Sequence, residues 1–182
     1  MECQGTSNRV ARFEKVRFEL FQSAVISARI HLLTYGDKDI SSPSDAMSSL
    51  INLKLPERST SKSAGYDFYS PFDFTLESGK SFVVPTGVCC DINEGWVLIV
   101  APRSGLGFKY RVSLDNTVGV IDGDYFGAEN NQIFLKLHNG SDKTIRISKG
   151  DRFAQGLFLP YGLTVDDKCL RTREGGLGST GA

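Results

Sequence analysis

The chain has 182 residues, 40% hydrophobic and 23% charged, which is the length and composition of one globular domain. Its 21 basic and 21 acidic residues cancel, so a general nucleic-acid-binding surface is not indicated. No apolar run approaches the roughly 20 residues that a membrane-spanning helix needs, and we expect neither nucleic acid nor membrane as a partner.

Residues 1–50 differ in character from the rest of the chain. Hydrophobic residues recur at helical spacing from Val10 to Ala24, and the stretch from Val25 to Tyr35 is apolar enough for a strand or further helix. The serines and the proline between 41 and 49 are typical of a linker. We predict an N-terminal extension outside the core, either a poorly ordered arm or outer helix or a segment for targeting or for an unknown partner.

The cysteines and the start of the chain favour an intracellular protein, cytoplasmic or nuclear or both. Cys3, Cys89, Cys90 and Cys169 show no CxxC spacing, which is typical of reduced thiols. Charged residues run through the first 20 positions and argue against a signal peptide. Acidic residues there leave a transit peptide as a weak alternative.

From residue 51 to about 170 the pattern is β. Short apolar runs separated by Gly, Pro, Asn and Asp favour a sandwich, barrel or jelly roll over βαβ units. Only Leu106 to Tyr110 is briefly helical in character. The fold class is therefore all-β, with the clearest strand runs at 82–84, 97–100, 133–135, 145–147 and 157–159.

The stretch from Gly119 to Gly127 carries more functional groups than a turn requires. Asp122-Gly123 between apolar residues predicts a hairpin, because glycine takes positive φ at no steric cost. Two carboxylates and Tyr125 lie near its tip, where they can hold a ring and a water molecule.

Two further stretches have the composition of phosphate sites. Residues 102–107, PRSGLG, join a strand to the short helical stretch, where they form either a phosphate seat or an ordinary turn with a solvent-facing arginine. Residues 171–182 are rich in glycine, with Ser, Thr and Arg among them. They form either a disordered end or a tail that wraps a polyanion.

Five segments, in this order, resemble the motifs of the trimeric dUTP diphosphatase (dUTPase) family. The resemblance covers about 130 residues, from near Ile51 to the C terminus. It implies a jelly-roll-like β domain over 51–170, a tail over 171–182 and a homotrimer with shared sites. It also implies Mg²⁺-dependent hydrolysis of dUTP to dUMP and diphosphate, which limits uracil in DNA and supplies dUMP for dTMP synthesis. The segments are AGYD at 64–67, PRSGLG at 102–107, NTVGVIDGDY at 116–125, KGDRFAQ at 149–155 and GGLGSTG at 175–181.

The resemblance also implies roles for single residues. Asp122 would act as general base on the water that attacks the α-phosphorus, and Tyr125 would lie against the deoxyribose. Asp67 would contact a Mg²⁺ ion through water. The remaining ligand contacts would be Asn116 with the backbone of Gly119, Val120 and Ile121 for uracil, Arg103, Ser104, Gly105 and Gln155 for phosphates, and Arg173, Leu177, Gly178, Ser179 and Thr180 from the closing tail.

The chain departs from the family pattern in three places. Leu177 stands where the family has a phenylalanine that stacks on uracil, which predicts a tail that closes less firmly. Thr172 stands where the family has an arginine, and either Arg171 or Arg173 would replace it. The predicted return strand over 126–132 is longer than usual.

Two other functions compete with hydrolysis of dUTP. The chain could be a dUTPase-derived interaction or regulatory protein with little catalysis, although an interaction scaffold has no need for Asp122, Tyr125 and Arg103. A dCTP deaminase would need an acid and a base around the cytosine amine, and the sequence offers no candidate.

Overall fold

The computed structural model describes residues 9–34, 44–171 and 173. Antiparallel strands dominate it, in a jelly-roll-like arrangement, and three helices accompany them. The helices are α1 (Phe18–Thr34), α2 (Ser44–Ile51) and α3 (Ser104–Tyr110), and a 3-10 helix spans Gly123–Gly127. The strands are β1 (Ala11–Lys15), β2 (Glu57–Arg58), β3 (Tyr66–Tyr69), β4 (Phe74–Leu76), β5 (Ser81–Pro85), β6 (Val88–Ile92), β7 (Trp96–Pro102), β8 (Val112–Leu114), β9 (Gly119–Ile121), β10 (Phe134–Asn139), β11 (Ile145–Ile147) and β12 (Arg152–Pro160).

Five strands in the order β2-β3-β12-β7-β9 form the sheet to which the first four motifs named above contribute residues. The other pairings are β5-β10-β8, β1-β6 and β11-β4. Alternate residues along these strands are buried, as in Ile145–Ile147, because successive side chains point to opposite faces. The predicted strand runs and the short helix at 106–110 are confirmed, except that Ile133 precedes β10, and the all-β class is confirmed as well.

The prediction that the N-terminal segment lies outside the core is wrong for the part of it that the structure describes, residues 9–34 and 44–50. The expected helix over 10–24 is partly a strand, since β1 pairs with β6, and Val16 and Phe21 belong to the main hydrophobic cluster. α1 packs on β5 and α2, and Gly87 fits closely beneath them. A Cβ at Gly87 would approach a methyl carbon of Leu53 to 2.8 Å. The domain boundary near residue 51 stays a prediction.

The linker predicted up to Ser49 is wrong in its second half. Residues 44–51 form α2, in which Ser49 and Leu50 are buried. The serines suggested a linker, but Ala46 and Leu50, four residues apart, give the helix one apolar face.

The hairpin predicted around Asp122-Gly123 is also wrong. β9 ends at Ile121, and the chain then turns into the 3-10 helix instead of a return strand over 126–132. Gly123 is required for space and has no positive φ, since a Cβ there would lie 3.0 Å from the carbonyl oxygen of Ile92. The hydroxyl of Tyr125 donates to the carbonyl of Gln132 at 2.7 Å, which stabilises this non-strand path.

Replacing Phe21 by alanine tests whether the N-terminal segment folds together with the sheets. Phe21 is fully buried, so we expect the free energy of unfolding to fall by about 3–5 kcal/mol, measured by urea denaturation. The control is Ile26→Ala on the same helix, where the side chain is partly exposed and the loss should stay below about 1 kcal/mol. Equal stability of Phe21→Ala and the original chain would mean that α1 is not part of the cooperative unit.

Candidate active site

Asp67 is the centre of a charged cluster at one end of the five-stranded sheet. It lies on β3 and is buried, and its Oδ1 atom lies 3.0 Å from Nε of Arg103. Its Oδ2 atom lies 3.2 Å from Nη1 of Arg152 and accepts a hydrogen bond from the hydroxyl of Ser59 at 2.7 Å. One carboxylate between two guanidinium groups leaves a local excess of positive charge, which suits an anionic ligand.

Arg103 is held in place through the Nε atom of its guanidinium group, while its two terminal nitrogens remain available for a ligand. Only its Nε atom pairs with Asp67, and its terminal nitrogens have no partner among the described residues. Ser104 and Gly105 follow as the first residues of α3, where backbone N–H groups lack partners within the helix. A Cβ at Gly105 would meet nothing within 4 Å in this chain, so packing within this chain does not account for the glycine. Arg103, Ser104 and Gly105 therefore lie together at the start of α3, and their contacts with phosphate stay a prediction.

Gln155 lies beside the same cluster. On β12 it pairs with Asp67 on one side and Ala101 on the other. Its Oε1 atom would lie 2.9 Å from a Cβ at residue 65, so Gly65 is needed to make room for the amide. The first and fourth motifs are therefore in direct contact.

Asp122 directly follows β9, the edge strand of the same sheet, at the end of the sheet opposite to the Asp67 cluster. Its carboxylate is 52% exposed and pairs with Nη2 of Arg173 at 2.9 Å. Nε of the same arginine pairs with Asp124 at 2.9 Å, and the guanidinium carbon lies 5.5 Å from the ring centroid of Tyr125. Arg173 thus joins the two carboxylates and covers the tyrosine ring.

A hydrogen bond from its hydroxyl group to the carbonyl of Gln132 fixes the position of Tyr125. Burial raises the pKa of Tyr125, opposed by the positive charge of Arg173, so the phenol is neutral and donates to Gln132. Because the hydroxyl is engaged, the ring and not the oxygen is the part that can meet a ligand.

β9 has the backbone of an edge strand. It pairs with β7 on one side, and no other described strand pairs with its second side. In an antiparallel ladder every second residue turns its N–H and C=O away from the partner, so β9 offers unpaired backbone groups. Asn116 lies in the turn before the strand and Asp122 directly after it.

The predicted residues form two groups that one chain does not bring together. Ile121 pairs with Leu98, and Arg103 lies five positions beyond Leu98 along the chain. At about 3.3 Å per residue, roughly 17 Å of chain separates the Asp122 end from the Arg103 end. Asp67, Arg103 and Gln155 share one end, and Asp122, Tyr125 and Arg173 share the other.

Sequence reasoning missed two partners of Asp67. Ser59 precedes the first motif, and Arg152 lies within the fourth but had no assigned role. The available signal was the Gly-Asp-Arg turn that opens β12, but the pairing of β12 with β3 was needed to use it. Leu177, Gly178, Ser179 and Thr180 lie outside the described residues.

The side chains fit a Mg²⁺ ion that arrives with a phosphate ligand better than one bound in advance. Within the described residues no three His, Cys, Asp or Glu side chains are grouped to hold a metal. The oxygens of Asp67 are already paired with arginines and Ser59, so direct ligation is not available in this arrangement. Such a donor set agrees with the usual coordination of Mg²⁺ by phosphates, water and few carboxylates.

The fold and these groups define an all-β protein with a buried aspartate between two arginines and an exposed carboxylate at a sheet edge. Residues 52–181 match the family model for dUTPase, and the chain belongs to the dUTPase family.

The chain is similar to deoxyuridine 5′-triphosphate nucleotidohydrolases of known sequence. That of Dictyoglomus turgidum is 40% identical over 139 residues, covering 71% of this chain and 92% of the relative. That of Lactococcus lactis is 37% identical over 134 residues, covering 71% and 89%.

Solved structures share the fold. The dUTPase of Streptococcus mutans is 39% identical with a TM-score of 0.56, covering 60% of this chain and 88% of that one. A mutant dUTPase from phage phi11 of S. aureus, in which a structural Mg(II) ion is coordinated, is 23% identical with a TM-score of 0.55, covering 66% and 92%. At that identity the phage protein supports the fold alone. Across the described parts of the chain, no helix is both long and apolar enough to cross a membrane.

Proposed function

We propose that this protein hydrolyses dUTP to dUMP and diphosphate by attack of water at the α-phosphorus. The observation that carries the proposal is the edge strand β9, which has outward-facing backbone groups on alternate residues and the exposed carboxylate of Asp122 at its end. The order of the five motifs and the membership of the dUTPase family support it. The reaction would limit uracil in DNA and supply dUMP for dTMP synthesis inside the cell, in the cytoplasm, the nucleus or both.

The base binds along β9. The backbone of Gly119, Val120 and Ile121 and the exposed carboxamide of Asn116 complement the polar edge of uracil. Cytosine leaves some of these groups unpaired, which corresponds to a discrimination of about 10⁴-fold. The methyl group of thymine is excluded sterically, because the backbone approaches the base closely.

Tyr125 discriminates between deoxyribose and ribose. Its ring is held by the hydrogen bond to Gln132, so it cannot withdraw to admit a 2′-hydroxyl. The discrimination is therefore one of shape.

Arg103, Ser104, Gly105 and Gln155 bind phosphate oxygens. The free terminal nitrogens of Arg103 and the first N–H groups of α3 support this role. A Mg²⁺ ion carried by the triphosphate would neutralise charge on the phosphate oxygens, and Asp67 is the carboxylate that would hold it, through water. Phosphoryl-type transfer depends mainly on such positioning and charge neutralisation.

Asp122 orients the attacking water and accepts its proton as general base. In this structure its Oδ2 atom is paired with Arg173. Arg173 exchanges the carboxylates for phosphate oxygens when substrate binds, and residues Leu177, Gly178, Ser179 and Thr180 close over the nucleotide.

The active form is a homotrimer whose sites combine the two ends of the sheet from different chains. The separation of roughly 17 Å between the Asp122 and Arg103 groups supports sharing, since one chain does not bring them together. Phe108 on α3 is 93% exposed and Val120 is also exposed, so apolar surface remains for another chain to cover. The contacts of α1 with β5 and α2 are internal and give no support to a separate partner of the N-terminal segment.

A substrate panel tests the proposal. Purified protein with Mg²⁺ is given dUTP, dCTP, dTTP or UTP, and diphosphate and nucleoside monophosphate are measured. We expect kcat/KM for dUTP to exceed that for dCTP by about 10⁴-fold. Failure to release diphosphate from dUTP at micromolar enzyme would contradict the proposed activity.

A further inference from the structure

Thr117 adopts a backbone conformation that few residues of its type accept. Its φ angle is +67°, and the N–H of Val118 donates to the carbonyl of Asn116 at 2.7 Å. A hydrogen bond from residue i+2 to residue i around a positive central φ is the strained form of γ-turn. Threonine is β-branched and rarely has a positive φ, so this turn persists only where the surroundings hold it.

Asp115 fixes the chain directly before that turn. Its N–H donates to the carbonyl of Lys136 at 3.0 Å, which ties it to β10. Oδ1 accepts from the hydroxyl of Ser81 on β5 at 3.0 Å, and Oδ2 pairs with Nζ of Lys136 at 2.8 Å. The hydrogen bond from Lys136 holds the pKa of Asp115 below its usual value, and the hydrogen bond from Ser81 adds to it.

The other side of the turn is fixed by sheet pairing. The N–H of Thr117 donates to Leu114 at 2.9 Å, and Gly119 pairs with Val100 on β7. The carboxamide of Asn116 is exposed and has no hydrogen-bond partner among the described residues. A strained turn held at both sides therefore presents one unpartnered amide beside the free edge of β9.

We propose that Ser81, Asp115 and Lys136 form a positioning network that holds this γ-turn and so sets the affinity and selectivity of the base pocket. The inference rests on the proposed binding of uracil by Asn116. The three residues act through the turn and touch neither the phosphates nor the attacking water. Their loss therefore weakens binding of the base and leaves the chemical step unchanged.

Kinetics of Asp115→Asn and Ser81→Ala in the full chain test the network. We expect KM for dUTP to rise about five- to tenfold, the loss of one oriented hydrogen bond, with kcat within about twofold. Asp142→Asn, an exposed carboxylate in the turn after β10, is the matched control and should leave both constants unchanged. A lower melting temperature with unchanged KM would overturn the proposal, because a merely structural role predicts that result.

Thr117→Gly separates strain from contact. Glycine accepts positive φ freely, so the melting temperature should rise while KM for dUTP increases and the preference for dUTP over dTTP falls. A higher melting temperature with unchanged KM and selectivity would contradict a functional role for the strained turn.

Binding of dUMP, measured by calorimetry, separates this inference from the proposed activity. Weaker dUMP binding by Asp115→Asn than by the original chain would support the network even if neither protein hydrolysed dUTP. If the original chain hydrolyses dUTP and Asp115→Asn binds dUMP equally well, the network is wrong and the activity stands. Absence of both dUMP binding and hydrolysis in the original chain would overturn both.

Discussion

Replacing Asp122 by asparagine is expected to lower kcat for dUTP by about 10²–10⁴-fold, because the water loses its proton acceptor. The amide keeps the size of the side chain, and Asp122 is assigned to the attacking water and not to the nucleotide, so nucleotide binding should persist. Steady-state kinetics and calorimetric titration with dUTP measure the two effects separately.

Asp124→Asn is the matched control for this change. Asp124 is 53% exposed, pairs with the same arginine and lies two positions along the chain, but it has no part in the proposed chemistry. Its kcat should stay within about threefold of the original value. If Asp122→Asn has a kcat comparable to that of the original protein, Asp122 is not the general base.

Replacing Asp67 by alanine should be the most damaging change for stability within the site. It leaves Arg103 and Arg152 facing each other without their shared carboxylate, and it removes the acceptor of Ser59. We expect a loss of about 2–4 kcal/mol in the free energy of unfolding, toward the lower side of values for buried pairs. The two arginine side chains keep 32% and 44% of their surface exposed, which allows water to replace part of the lost contact.

Urea denaturation of Asp67→Ala measures this loss. Glu14→Gln is the control, since Glu14 also pairs with an arginine but both side chains are well exposed, and it should cost less than about 1 kcal/mol. Similar losses in the two variants would show that Asp67 is not a structural anchor of the phosphate end.

Local patterns were sufficient for the strands and the short helix. Ile145–Ile147 alternates with period two, and the helical character of Leu106 to Tyr110 falls within α3, which begins two residues earlier. Local patterns were insufficient where long-range packing decides the secondary structure of a segment. The apolar spacing from Val10 to Ala24 suits a helix, but Phe13 on β1 packs with Phe68 and Phe158, so the first part of the segment became a strand.

The site shows the same division between local and long-range information. Asp67 lies within β3, and Arg103 and Asp122 directly follow β7 and β9, while the roles that the motifs assign to them stay predictions. The role of Arg152 depends on strand register, and the contact of Arg173 with Asp122 joins residues 51 positions apart. The Asp-Gly pair predicted a hairpin, but the buried hydroxyl of Tyr125 and the nearby carbonyl of Ile92 favour a 3-10 helix there.

Hydrolysis of dUTP in water enriched in oxygen-18 tests the central claim most directly. Attack of water at the α-phosphorus places the label in dUMP, and mass spectrometry of the two products locates it. We predict one labelled oxygen in dUMP and none in diphosphate. Label in diphosphate, or release of inorganic phosphate in place of diphosphate, would contradict the account.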